Sequence, residues 1–377
     1  MDRTRAAHRP LHRWPGALAI TVVTLVGCSG APPATAPPPP SAASQEAQPP
    51  AAPAIAQAPT AAPGASAAAP EEPPRAAAHA AAQLTIDKAI TIGKWPEGIA
   101  VVGDTAWVAE SGNRRVARVD LKRGEVVSRV AVGRLPVQVV ASPEGAIYTL
   151  AHTDRAIWAI DGQTARARAL ARLPDSPQDM VVADGALWVL LWSKGSSANS
   201  SVVRIDPATG GQRRSPALGR DAFALAVGHG RIWVAHGNGK VSVVDQTSLE
   251  PRDELHIGDL HRRIAAGPGA IFTDVRSGVA RLDPMSGRAT SEVALGETVS
   301  VLRQMGDDVI AVGESGRTWL LDPENLTIRA ILSPPDGVRS PHDAWRHGET
   351  LLLTEFDDAG AGGKEDGRLL ILRSSPR

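Results

Sequence analysis

The sequence predicts an all-β fold, a seven-bladed β-propeller of four-stranded antiparallel blades, and three observations carry that prediction. First, a short apolar run closing on an acid recurs at 116–120, 157–161, 202–206, 241–245, 279–283 and 318–322. The closing acids, Asp120, Asp161, Asp206, Asp245, Asp283 and Asp322, stand 41, 45, 39, 38 and 39 residues apart. Second, each period of about 40 residues holds several short β-rich runs, the signature of a propeller blade; a helical solenoid would show 3.6-residue periodicity instead. Third, the two ends complement each other. Residues 84–92 alternate like an outer strand, whereas the last repeat stops after 369–372 with no outer strand of its own. The N-terminal strand is therefore expected to complete the last blade and close the ring, covering edges that an open array would leave unpaired.

In the first repeat the inner strand is read at 98–102, the second at 105–109, the third at 116–120 and the outer at 125–132. Gly103-Asp104 and 122–124 supply the turns. Second strands recur at Trp107, Tyr148, Trp188, Trp233, Phe272, Ile310 and Leu352, which makes seven, so the 294 residues of 84–377 divide into repeats of 42. The recurring Trp107, Trp188 and Trp233 are read as packing between blades. The recurring acids are read as turn residues that bond their own backbone.

The order of these parts resembles the YVTN family of seven-bladed propellers. It runs Asp-x-x-x-Gly at 120–124, Val132-Gly133, Pro136, an apolar inner strand at 137–141 and a second strand at 146–150. Asp206-Pro207-Ala208-Thr209-Gly210 and Asp283-Pro284-Met285-Ser286-Gly287 repeat the turn. The resemblance covers 84–373 and implies a fold rather than an activity, because a propeller is a scaffold for many functions.

Two segments precede the repeats. Arg3, Arg5, Arg9 and Arg13 make a positive start, and the apolar run of 14–27 has the length of a signal-peptide core, too short to span a bilayer comfortably. It ends Leu25-Val26-Gly27-Cys28, which resembles the lipobox of bacterial lipoproteins, and Cys28 is the only cysteine in the chain. Residues 1–27 are accordingly read as a lipoprotein signal peptide and Cys28 as the lipidation site. The resemblance implies a cell-envelope location, with Ser29 after the cysteine favouring the outer membrane, facing the periplasm or the cell surface. Residues 28–83, dominated by Ala and Pro, lack apolar periodicity and read as a disordered, semi-stiff linker reaching on the order of 100 Å.

Composition narrows the function. Forty Lys+Arg balance forty Asp+Glu, with no block of like charge in the repeats, which argues against a nucleic-acid partner. One cysteine leaves no disulfide framework and no Cys-based zinc site. There is no GxSxG elbow, no Walker motif and no HExxH. Quinone-binding propellers close each Asp-x-x-Thr-Gly turn with a Trp in the strand that follows, and here the strands after Gly124, Gly210 and Gly287 have none.

A propeller binds where the loops entering its inner strands meet those between second and third strands, around the central channel. The first class supplies Glu97, Gln138, Gln178, Asp179, Arg262, Arg263, His342 and Asp343. The second supplies Glu110, His152, His236, Asp274, Glu314, Glu355 and Asp357. Of these, Glu97, Gln138, Asp179, Arg263, His152 and His236 are the candidate ligand-binding residues.

The seventh repeat departs most from the others. Ser340-Pro341-His342-Asp343 brings an imidazole and a carboxylate to the channel mouth, making His342 and Asp343 the candidate catalytic pair. Glu355 and Asp357 open an oxygen-rich, Gly-rich loop and are the candidate metal ligands, for magnesium or calcium. This stretch is similar to streptogramin (virginiamycin B) lyases, propellers that open a lactone with a channel histidine and a glutamate-held magnesium. The resemblance implies acid–base work for His342 and metal ligation for Glu355. The family pattern carries a second acid just before the histidine, where this sequence has Ser340 and Pro341. The expectation is thus a membrane-anchored binding scaffold for an envelope protein or a small molecule, with no cofactor required. A metal-dependent lyase or hydrolase on the seventh blade is the alternative.

Overall fold

The computed structural model describes residues 81–192, 199–258, 261–336, 338, 341–355 and 366–374. The chain divides into two compact units at Glu71, and every described residue lies in the second, Glu72–Arg377. Cys28, the leader and nearly all of the linker lie outside the described residues, as does Asp357. Among the described residues no helix is long and apolar enough to cross a membrane.

The described residues form 28 strands and one short 3₁₀ turn. In the first sheet Pro96–Val102, Thr105–Glu110, Arg115–Asp120 and Glu125–Ala131 lie side by side, each antiparallel to the next. Four further four-stranded sheets repeat this order, and eight strands form one larger sheet. Within that sheet Ala81–Lys94 is the joint. Its first residues run parallel to Ile328–Ser333, with Ala81 opposite Ile331, and the rest runs antiparallel to Asp366–Ser374, from Leu84 opposite Ser374 to Lys94 opposite Asp366. The N-terminal strand thus supplies the outer strand that the last repeat lacks.

The first strands of successive sheets touch in a closed cycle. Pro96–Val102 meets Pro136–Ala141, then follow Ser176–Ala183, Ala222–Gly228, Ile264–Ala266, Val299–Met305 and Asp343–His347, which meets Pro96–Val102 again. Most apolar cores sit between neighbouring sheets, and one packs the two halves of the eight-stranded sheet together, with Val301, Ile310 and Val312 against Ala344, Leu351 and Leu353. The closing seam packs Ile99, Val108 and Ala117 of the first sheet against Ile90, Ile92, Leu352, Leu369 and Ile371. Each fully buried Ile or Leu there contributes about 1.5–3 kcal/mol, so closure rests on the same apolar burial as every other seam.

The recurring aromatic position faces these seams. Trp107, Trp188 and Trp233 are almost wholly buried, and each carries an arginine over its ring: Arg118 at 5.6 Å, Arg204 at 5.8 Å and Arg231 at 5.9 Å from the centroid. The recurring acids hold turns. Asp206 Oδ1 accepts the amides of Ala208 and Thr209, and Asp283 Oδ1 those of Met285 and Ser286. Asp245 does the same with Thr247 and Ser248, bonds that with Arg252 hold its carboxyl down at about 2.

Candidate functional site

The closed cycle of first strands surrounds a channel, and four sequence-predicted residues, Gln138, Asp179, Arg263 and Asp343, lie on these strands or at their start. Opposite equivalent second-strand residues the first strands hold Gln138, Asp179, Ala224, Val301 and Asp343, facing Leu150, Leu190, Ala235, Val312 and Thr354 in turn, with Gly98 and Arg263 one residue before the paired Ile99 and Ile264. Acids at this position fasten the next sheet. Asp343 Oδ2 accepts the amide of Ile99 at 3.0 Å, and Asp179 Oδ2 accepts that of Leu225 at 2.8 Å. The residue before each bonded amide is small, Gly98 or Ala224. At Gly98 the approach leaves no choice, because a Cβ would stand 2.6 Å from Gln138 Cα.

Asp343 is engaged further. Arg303, on Val299–Met305, gives it Nη2 at 2.6 Å to Oδ2 and 2.7 Å to Oδ1, with Nε at 3.0 Å to Oδ1. Burial works against the Arg303 charge, but Asp343 outweighs it and holds the guanidinium above its usual value. Asp179 also accepts Gln138 Nε2 at 2.6 Å, while burial pushes its carboxyl up against these bonds. Asp274 Oδ1 accepts the amides of Arg262 and Arg263, both at 2.8 Å. Arg263 is pushed down by burial, with Asp274, Asp179 and Asp343 pulling the other way. The channel charges are therefore paired with one another or with backbone.

Glu97 and His342 lie at the seam between the first and last sheets, where their backbones are tied to one residue. Thr354 joins them: its Oγ1 donates to Glu97 O at 2.7 Å, and its carbonyl accepts the His342 amide at 2.9 Å. Both side chains are half-buried, hemmed in by the channel walls yet open to water. Burial pushes Glu97 up to about 7, opposed by a hydrogen bond with Ser111. Burial pushes His342 down to about 4, with Asp343 opposing and nearby Arg263 adding to the fall. At neutral pH the imidazole is uncharged and Glu97 shares its proton with solvent.

The remaining predicted residues lie away from that meeting point. His236 is buried, with Nδ1 2.6 Å from Arg220 O and Nε2 3.0 Å from Ser242 Oγ; burial lowers its pKa. His152 Nδ1 lies 2.7 Å from Pro177 O. Both imidazoles brace the loops after second strands. Glu110 pairs with Arg115 and Arg129, and Glu355, in the equivalent place, pairs with Arg368. Among the described residues no group of three or more His, Cys, Asp or Glu is placed to hold a metal ion.

Arg303 was not singled out from the sequence. A lone arginine inside the apolar run Val299–Met305 is the signal for it, because a charge in an inner strand needs a partner. A cleft of about 760 Å³ lies at the other end of the strands, by the turns at 306–307 and 348–349. Its arginines are occupied as well: Arg329 pairs with Asp308 and Asp322, and Arg346 with Asp308.

No family model matches the sequence, and no curated protein matches it. Among solved structures, the selenomethionine-substituted virginiamycin B lyase from Staphylococcus aureus is similar over 78% of this chain and 100% of that one, with 14% identity and a TM-score of 0.59. With the sheet arrangement, this likeness defines the chain as a β-propeller protein. At that identity it shows the fold alone.

Proposed function

We propose that this protein is a lipid-anchored, extracytoplasmic, seven-bladed propeller that works as a binding module, with the channel mouth at Glu97 and His342 as its ligand site. The blade count is supported by the closed cycle of seven first strands. The anchor and the envelope location rest on the Cys28 motif and the Ala/Pro linker. One observation carries the binding role: at the seam of the first and last sheets the channel mouth holds two half-buried titratable groups, Glu97 pushed up to about 7 and His342 pushed down to about 4 by burial. Such a mouth suits recognition of a polar ligand by hydrogen bonds.

The test is capture from a cell-envelope extract by the full-length protein and by Glu97→Leu and His342→Leu, with melting curves confirming that the variants fold. The binding role expects both substitutions to abolish capture of at least one component. Equal retention by all three proteins overturns it. Asp343 is unsuitable as a probe because it holds two sheets together.

A second reading, acid–base catalysis on the seventh repeat, is favoured by one observation: burial keeps the His342 imidazole in the neutral form that accepts protons. Its metal-dependent form needs Glu355, whose Oε1 pairs with Arg368. Titrating magnesium and calcium while following thermal unfolding tests it. A stabilisation that disappears in Glu355→Gln supports the lyase or hydrolase, and an unchanged melting curve counts against it.

A further inference from the structure

The cleft at the far end of the strands is lined by two exceptions to the repeat. In five sheets the first-strand residue opposite the recurring aromatic position is Ala or Val, as at Ala100 opposite Trp107 and Ala226 opposite Trp233. Val299–Met305 has Arg303 there, opposite Ile310, and Asp343–His347 has Trp345, opposite Leu352. Arg303 lies over the Trp345 ring, 5.6 Å from its centroid, and both line the cleft together with Met305. Apolar groups therefore share the cleft with charged ones.

Those charges do not cancel. Arg303 is matched by Asp343, Arg329 by Asp322 and Arg346 by Asp308. Asp307 and Glu349, one from each turn, line the same cleft and are exposed. Among the described residues no cation pairs with either carboxylate. The walls are left net negative, which calls for an occupant that brings a cation.

The chain itself carries one within reach. Thr85 stands opposite Arg373, and Arg373 opposite Thr350, the residue after the turn at 348–349, so the N-terminal strand begins at the cleft end of its sheet. Its first residue, Ala81, pairs in parallel with Ile331, two residues beyond the cleft-lining Arg329. Two strand residues span about 7 Å, and each step back from Ala81 leads towards Arg329. Arg75 lies six residues before Ala81, within about 20 Å along an extended chain. It is the only Lys or Arg between Arg13 and Lys88. Pro73-Pro74 stands just before it, a pair suited to a groove that offers an aromatic side chain.

We propose that this cleft is the docking site for residues 72–75 of the same chain, with the Arg75 guanidinium between the Asp307 and Glu349 carboxylates and the two prolines against Met305 and Trp345. The contact fastens the approach to the N-terminal strand at the end of the propeller away from the channel mouth, and it is independent of the binding role at that mouth. Limited trypsin digestion of the full-length protein, read by mass spectrometry, tests it, because cutting after Arg75 tracks the undocked population. Asp307→Asn combined with Glu349→Gln is expected to speed that cut about tenfold and to leave the melting temperature unchanged. Arg75→Gln is expected to speed hydrogen exchange in the turn at 348–349. Equal cutting rates with and without the two carboxylates overturn the proposal, and so does exchange unaltered by Arg75→Gln. Protection of Arg75 that disappears on dilution also overturns it, in favour of docking by a second copy of the chain.

Discussion

Asp343 and Arg303 form a bidentate pair between neighbouring first strands of the eight-stranded sheet, and the same carboxylate accepts the amide of Ile99, so one side chain joins three first strands. Removing one member of a buried pair leaves the other's charge uncompensated. Asp343→Ala is expected to lower stability by about 3–5 kcal/mol, measured by urea denaturation. Asp343→Leu combined with Arg303→Leu should cost less than either change alone. Equal or additive losses would show that the pair is not coupled.

Glu97 and His342 give stability opposite slopes with pH. The folded state binds the Glu97 proton up to about 7 instead of 4.5, so this residue's contribution declines as pH rises through that window. The folded state resists protonation of His342 down to about 4 instead of 6.5, so stability declines as pH falls from 6.5 to 4. Glu97→Gln should remove the first slope and His342→Gln the second, in denaturation midpoints measured between pH 4 and 8. A slope that survives its own substitution belongs to another group.

The tryptophans separate by burial. Trp188 is 1% exposed and lies in the seam between the third and fourth sheets, so Trp188→Ala should cost about 3–5 kcal/mol. Trp95→Ala, at an exposed position, should leave the melting temperature nearly unchanged. Comparable losses at the two sites would contradict this separation.

The N-terminal strand is as deeply packed as the repeats it joins. Ile92 is 1% exposed and Ile90 6%, both in the closing seam. Ile92→Ala is expected to cost about 2–5 kcal/mol and to speed hydrogen exchange at Leu369, Leu370 and Leu372 on the paired strand. Unchanged exchange there would mean that closure does not depend on this strand.

Much of the architecture is legible because it is periodic. Acids near every fortieth residue mark turns that bond locally, and a local bond needs only neighbours in sequence. The outer-strand pattern at 84–92 and the missing strand after 369–372 likewise announce each other. The site is harder to read. Glu355 looks like a metal ligand until Arg368 is placed on its carboxylate, and His236 looks like a channel group until both ring nitrogens meet Arg220 and Ser242. Arg303 is hidden because its partner lies forty residues away.

The sequence by itself determined the number and order of strands, the turn acids, the buried aromatic position and the strand that joins the two ends. These follow from alternation, turn chemistry and spacing, which are properties of nearby residues. Only the tertiary structure decided which polar groups are already satisfied. That depends on which groups a ring of sheets brings face to face: Asp343 onto Arg303 and Ile99, Asp179 onto Leu225, and the backbones of Glu97 and His342 onto Thr354. Charge pairing and burial are long-range consequences of closure, and they decide which of the predicted groups are already engaged.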